Sequence, residues 1–322
     1  MNEVKEFVGI DISKDSFDVC YADDKHAVFS NDQNGFKLFV KTLNDKTHCV
    51  MEQTGRYHQP LACYLQSKSI AVSVENALVI KHFSRLLLKS TKTDKADARL
   101  IRDYAIQFKP KEWEAPKPYI AKCREIRALI VLLQKQQTAL KNQQHSLKSS
   151  VNPCLEVLKF VKKELNQMKK KIKALEKLME DLVRENEGAM LTHLSTIPGI
   201  AKRTAVLLII YTNAFKDFEN SKQLSSYLGL APRIRQSGTS INGRSIISKS
   251  GNNDMRKMMF MCALSASVFN KACQEQFQRI VSKGKPKKVA LIAVSNKLLK
   301  IALAVAKSEM PYDENFRSVK RV

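Results

Sequence analysis

The sequence predicts a mixed α/β domain, then a long helical hairpin, then a mainly α-helical C-terminal domain. Three observations carry this. The first ~80 residues alternate short period-two apolar runs with amphipathic stretches; an unbroken three-and-four apolar spacing runs from Leu158 to Leu182; and charge is unequally divided along the chain. The 322 residues carry 55 Lys plus Arg against 31 Asp plus Glu, a net +24, and 44% are hydrophobic. Disorder is excluded by that composition, and the charge calls for a polyanionic partner. Residues 1–110 are nearly balanced, with 16 basic and 14 acidic side chains, whereas residues 193–322 hold 22 and 7. A balanced first domain suits carboxylate chemistry, and a basic last one suits gripping phosphates.

In order along the chain, EFVGIDIS and then FDVCYAD leading into HAVFS read as strands. NGFKLFVKTLN reads as a short helix, and HCVMEQTG as an apolar strand ending on a carboxylate and a Gly turn. YHQPLACYLQSKS is helical, IAVSVEN a strand, and helices continue to about residue 108. Hairpin-paired strands that then alternate with helices define a mixed sheet covered by helices. KPKEWEAPKPY, with three prolines and the only Trp, marks a boundary, placed after residue 112.

Residues 113–190 form the second segment. Leu158, Val161, Leu165, Met168, Ile172, Leu175, Met179 and Leu182 make an a/d seam, and Ile126, Leu129, Leu133, Leu140 and Leu147 a similar stripe upstream. Asn152-Pro153 separates the two into a helical hairpin, and the lysine runs read as its solvated face. In the third segment, 191–322, IPGIAKRTA resembles a helix-hairpin-helix turn. There Gly199 permits a tight turn whose N–H groups, with Lys202 and Arg203, suit a phosphate. Seven scattered cysteines without a C-x-x-C pair point to a reduced, cytoplasmic protein. No signal-peptide pattern opens the chain, and the apolar runs read as too short to span a membrane.

Candidate chemistry begins with misplaced charge. Asp11 interrupts an apolar strand, which is costly unless the carboxylate sits at a sheet end or binds a cation. Glu52 repeats the pattern at the end of CVME, while Asp15 and Asp18 look like surface residues. Asp94 and Asp97 share one face of a helix. Alone, that pair reads as a helix cap, with Thr93 or Asp94 capping and Asp97 complementing the dipole. Joined to Asp11 and Glu52, it reads as half of a site for one or two Mg²⁺ (or Mn²⁺) ions, the apparatus of phosphodiester chemistry.

VGIDISKDSFDV, MEQTGRY and TDKADA, in that order, resemble the DEDD transposases of insertion sequences, and more closely the insertion-sequence one-hundred-and-ten family of bridge-RNA-guided recombinases. IPGIAKRTA followed by YLGLAPRIRQSGTSINGRSIISKSGNNDMRK resembles that family's C-terminal transposase domain. The resemblance covers nearly the whole chain. It implies a RuvC-like, RNase H-type first domain and assigns Asp11, Glu52, Asp94 and Asp97 to the metal-binding tetrad and Ser237 to the nucleophile. One small departure is Asn76-Ala77, where the family often has Asn-Pro.

What the resemblance implies is a bacterial or archaeal recombinase that cuts and rejoins donor and target DNA through a 5′-phosphoserine. Its centre is composite, assembled between protomers of a homodimer or homotetramer, and a structured guide RNA pairs with both DNAs. Sequence alone does not single out Ser237, because Ser240, Ser245, Ser248 and Ser250 share its Gly-rich loop. A serine hydroxyl is a weak nucleophile; Arg233, Arg235, Arg244 and Lys249 could offset the charge of the phosphate it attacks. Two other classes fit parts of the pattern: a hydrolytic, junction-selective nuclease that needs no Ser237, and a non-catalytic nucleic-acid scaffold. The scaffold leaves Asp11 and Glu52 unexplained.

Overall fold

The computed structural model describes residues 6–88, 93–233, 236–237, 241–242, 246–248 and 250–315. The chain divides into two compact units, 1–115 and 116–322. In the first, β1 (Glu6–Ile12), β2 (Ser16–Cys20) and β3 (His26–Ser30) form an antiparallel meander. Helix α1 (Gln33–Val40) leads to β4 (Thr47–Glu52), which pairs parallel with β1. Helix α2 (His58–Ser67) then leads to β5 (Ala71–Glu75), parallel to β4. The sheet order is β3-β2-β1-β4-β5. Helices α3 (Ala77–Leu86) and α4 (Asp94–Phe108) complete the unit.

The strand pleat sorts side chains between two cores. Val8, Ile10, Ile12, Phe17, Val19, Cys49, Met51 and Val72 join the buried Phe36, Phe39, Leu61 and Leu65 of α1 and α2. Trp113, from the proline-rich segment, packs against this layer and donates its backbone N–H to Val72 O (2.7 Å). The alternate positions Phe7 and Val50 face the other way, against Ile80 and Phe83 of α3 and Leu100, Ile101, Tyr104 and Ala105 of α4.

Gly9, on that second face, lets α4 approach closely: a Cβ there would lie 2.1 Å from Ala98 O and 2.4 Å from Arg102 N. Arg102 of α4 donates to Tyr21 O (3.0 Å) and, with Arg99, pairs with Asp24 in the β2–β3 turn. The helix is thus seated on the sheet at a glycine and fixed laterally by ion pairs.

In the second unit, α5 (Pro118–Lys148) and α6 (Leu155–Ser195) form the long hairpin. Val161, Ile172 and Met179 of the seam are buried, and Leu175 and Leu182 pack against the same core. The α5 stripe differs from the sequence reading by one position: Leu129 is exposed and Ile130 is fully buried. Because residues 128–133 are all apolar, their spacing does not fix a face. The hairpin base is tied by Lys117 Nζ and Tyr119 OH, which donate to Glu187 Oε1 (2.8 and 3.0 Å) where α6 departs from helical geometry. On α5, buried Arg127 pairs with Asp254.

The remaining helices are α7 (Lys202–Tyr211), α8 (Ser221–Tyr227), α9 (Asn253–Phe269), α10 (Lys271–Ser282) and α11 (Lys287–Ser308). Between α8 and α9 lie two-residue strands: β6 (Pro232–Arg233) pairs with β9 (Ile246–Ile247), and β7 (Gln236–Ser237) with β8 (Ile241–Asn242). Among the described residues α11 alone has the length and mean hydropathy to cross a membrane, although Lys297 and Lys300 interrupt its apolar runs, which stay short as expected. Its Leu291, Val294, Leu298, Leu299 and Ala302 are instead buried in the helical core.

Candidate active site: a row of carboxylates on the sheet

Asp11 follows Phe7 and Gly9 at period two, so it projects from the α4 face of β1, where it is half-buried. Glu52 follows Val50 in the same way, and stands one residue beyond the Ile10–Met51 pair just as Asp11 does. Adjacent parallel strands therefore deliver the two carboxylates side by side. From above, α4 contributes its first turn. Thr93 caps it, with an extended backbone and Oγ1 accepting from Ala96 N (3.2 Å), so neither aspartate is spent on the cap. Asp94 is exposed and Asp97 half-buried.

The electrostatics show that these groups share one field. Burial, followed by the negative charges of Asp97, Glu52, Asp94 and Asp18, pushes the Asp11 carboxyl up to about 6. The negative neighbours that favour a proton on Asp11 also favour a divalent cation, and the donors are all hard oxygens, suited to Mg²⁺ or Mn²⁺. Among the described residues no three His, Cys, Asp or Glu side chains converge tightly enough to ligate one ion as they stand. The residues fit such an ion in charge and donor type, at electrostatic rather than coordination range.

Asp18 corrects the sequence reading, which placed it on the surface. It lies directly opposite Asp11 in the β1–β2 pair, and its side chain is only 15% exposed. His26 Nε2 is 2.7 Å from its Oδ1. Period two along β2, with Phe17 and Val19 turned to the opposite core, was the available signal; the hairpin register that sets Asp18 against Asp11 was not readable. Glu75, opposite Glu52 on β5, extends the row to a fourth strand. Burial raises its carboxyl, while a hydrogen bond to Tyr104 opposes the shift. Asn31 Nδ2 steadies the loops beside the row by donating to Ser13 O (2.9 Å) and Tyr57 O (3.3 Å).

In the second unit Ser237 lies on β7, its backbone paired with Ile241; its side chain lies outside the described residues, as do Arg235, Ser240, Arg244, Ser245 and Lys249. Arg233 is exposed on β6. The Ser250 hydroxyl donates to Ser248 O (3.5 Å). At the turn before α7, Gly199 has φ +102°, and a Cβ there would lie 2.6 Å from Ala266 Cβ, so the glycine is required by packing on α9 as well as by the turn. Lys202 is exposed, whereas Arg203 pairs with Glu176 of α6 (2.8 Å).

A five-stranded mixed sheet in this order, carrying carboxylates on β1, β4 and the first turn of a crossing helix, defines an RNase H-like DEDD transposase domain. Residues 8–153 match a transposase family of the IS110 DEDD type, and residues 191–278 match the transposase IS116/IS110/IS902 family. The chain belongs to the IS110 family of transposases, whose function is DNA recombination. It is 33% identical over 326 residues to the pilin gene-inverting proteins of Moraxella lacunata and Moraxella bovis, covering 96% of this chain and 98% of each relative. An IS110 insertion-element 43.6 kDa protein of Streptomyces coelicolor is 28% identical over 120 residues, 37% of this chain and 29% of its own length.

Proposed function

We propose that this transposase is a metal-assisted serine recombinase, acting in the cytosol, that cuts and rejoins DNA strands. The division of labour follows the chain: 1–112 holds the carboxylates, 113–190 is the helical spacer, and 191–322 supplies Ser237. The observation that carries the reading is the placement of Asp11 and Glu52 on adjacent parallel strands with the first turn of α4 beside them. Burial first, and then the neighbouring negative charges, lift the Asp11 carboxyl to about 6.

Asp11, Glu52, Asp94 and Asp97 would hold Mg²⁺ or Mn²⁺, which when bound supplies positive charge to stabilise oxygen anions of the scissile phosphate. Ser237 Oγ attacks the phosphorus and loses its proton to a base; the bond to the 3′ oxygen breaks, leaving a 5′-phosphoserine and a 3′-hydroxyl. Rejoining is the reverse attack by a 3′-hydroxyl on that ester. Arg233, Arg235, Arg244 and Lys249 lie close to Ser237 in sequence and have the chemistry to hold the phosphate. Gly199 and Lys202 are further candidates for backbone contact, whereas Arg203 would have to exchange Glu176 for a phosphate.

The family resemblance further supports a homodimer or homotetramer and a structured guide RNA that pairs with donor and target. The kinship with gene-inverting proteins favours a second reading, inversion of a DNA segment between two sites by the same serine chemistry. The test uses 5′-labelled DNA spanning the junction, Mg²⁺ and flanking RNA of the element, resolved on a denaturing protein gel. A labelled protein band that disappears in Ser237→Ala is expected. Cleavage that persists in Ser237→Ala without an adduct would identify a hydrolytic nuclease instead.

A further inference from the structure

We propose that the solvent face of α6 is a track for the phosphate backbone of duplex DNA. Lys159, Lys162, Lys163, Lys170, Lys173 and Lys177 are all exposed, and at 100° per residue they fall within an arc of about 100° on the side opposite the buried seam. The stripe is about 27 Å long at 1.5 Å per residue. Among the described residues none of the six lysines is in a salt bridge. Within residues 159–177 the two carboxylates, Glu164 and Glu176, sit off the stripe, and Glu176 is ion-paired with Arg203; one turn beyond Lys177, Glu180 is ion-paired with Arg184. Lys159, Lys162, Lys163 and Lys170 line one shallow groove with Asn166, and Lys148 of α5 joins Lys159 and Lys162 in the next.

Six like charges on one helix face repel one another, so an apolar seam alone does not account for them. A polyanion along the face removes that cost and releases its own counterions. The chemistry chooses among polyanions. The lysine arc itself holds no aromatic ring, the exposed Phe160 lying about 60° off it, and no arginine fork to read a base edge, which favours backbone contact with a regular duplex. The stripe's length matches about 8 base pairs of B-form DNA at 3.4 Å each. DNA is the duplex on which this family acts, so the inference rests on family membership and not on the roles given to the carboxylates or Ser237.

The experiment measures binding of the full-length protein to a fluorescent 30-base-pair duplex by anisotropy across a KCl series. The variant carries Lys162→Gln, Lys163→Gln, Lys170→Gln and Lys173→Gln, which keep helix propensity nearly constant. Its slope of log affinity against log salt should fall in magnitude by about 3–4, near 0.9 per lost phosphate contact, and each single Lys→Gln change should lower it by about 1. The four lysines replaced by Arg should keep the wild-type slope. A slope within one of wild type in the fourfold Gln variant, with helicity by circular dichroism unchanged, overturns the proposal. Loss confined to a structured RNA of similar length, with duplex DNA unaffected, overturns the assignment to DNA.

Discussion

At the scale of single residues, Asp11 shows how much one misplaced charge can say. An Asp at an inward position of an apolar strand is legible in FVGIDIS as an anomaly, and the structure shows it half-buried with four acidic neighbours, both of which raise its carboxyl. Asp18 was not legible, because its meaning lies in a cross-strand register that no local pattern encodes. The raised Asp11 carboxyl has a signed consequence. Between the ordinary value of 3.8 and about 6 the folded protein holds a proton that the unfolded chain releases, so this group's contribution favours folding at low pH and is lost as pH rises through about 6. Metal-free Asp11→Asn should therefore be more stable than wild type at pH 7.5 by about 1–2 kcal/mol, discounted for partial exposure, with the difference vanishing near pH 4. Thermal denaturation of the two proteins at both pH values checks this. Carboxyl NMR titration should also show the Asp11 midpoint dropping more in Asp97→Asn than in Asp18→Asn, following the order of their influence.

Elements bring these residues together, and here the sequence was unevenly informative. In α6 polar residues separate the apolar ones, so the seam could be read position by position; in α5 the run from 128 to 133 hid it. Met179→Ala should cost about 2–5 kcal/mol in chemical denaturation, as truncation of a buried side chain does, whereas Leu178→Ala, at a position 49% exposed, should cost under ~1 kcal/mol. Equal losses would show that the seam is misplaced. In the first unit the contact of α4 with β1 at Gly9 sets the height of Asp94 and Asp97 above the sheet. Gly9→Ala puts a methyl group into the backbone of α4, where overpacking costs about 1–3 kcal/mol. A fall in midpoint temperature together with loss of strand cleavage is expected; a fully active Gly9→Ala would sever the link between that contact and the site.

For the molecule as a whole, charge balance foretold a division between a nearly neutral carboxylate-bearing sheet and basic helical regions, and family membership gives that division its meaning as DNA recombination. What composition could not foretell was the burial of α11, whose hydropathy is that of a membrane helix and whose environment is a protein core. Nor could it place Ser237, since five serines share one loop sequence and only kinship separates them. The central claim is that the carboxylates of two strands and one helix hold a divalent cation. Titration of the full-length protein with Mn²⁺, followed by the electron paramagnetic resonance of the free ion, tests it most directly. Wild type and Ser237→Ala should bind alike, with affinity falling below pH 6 as Asp11 takes its proton, and Asp11→Asn should bind about tenfold or more weakly. Mn²⁺ binding to Asp11→Asn as tight as to wild type would contradict the account.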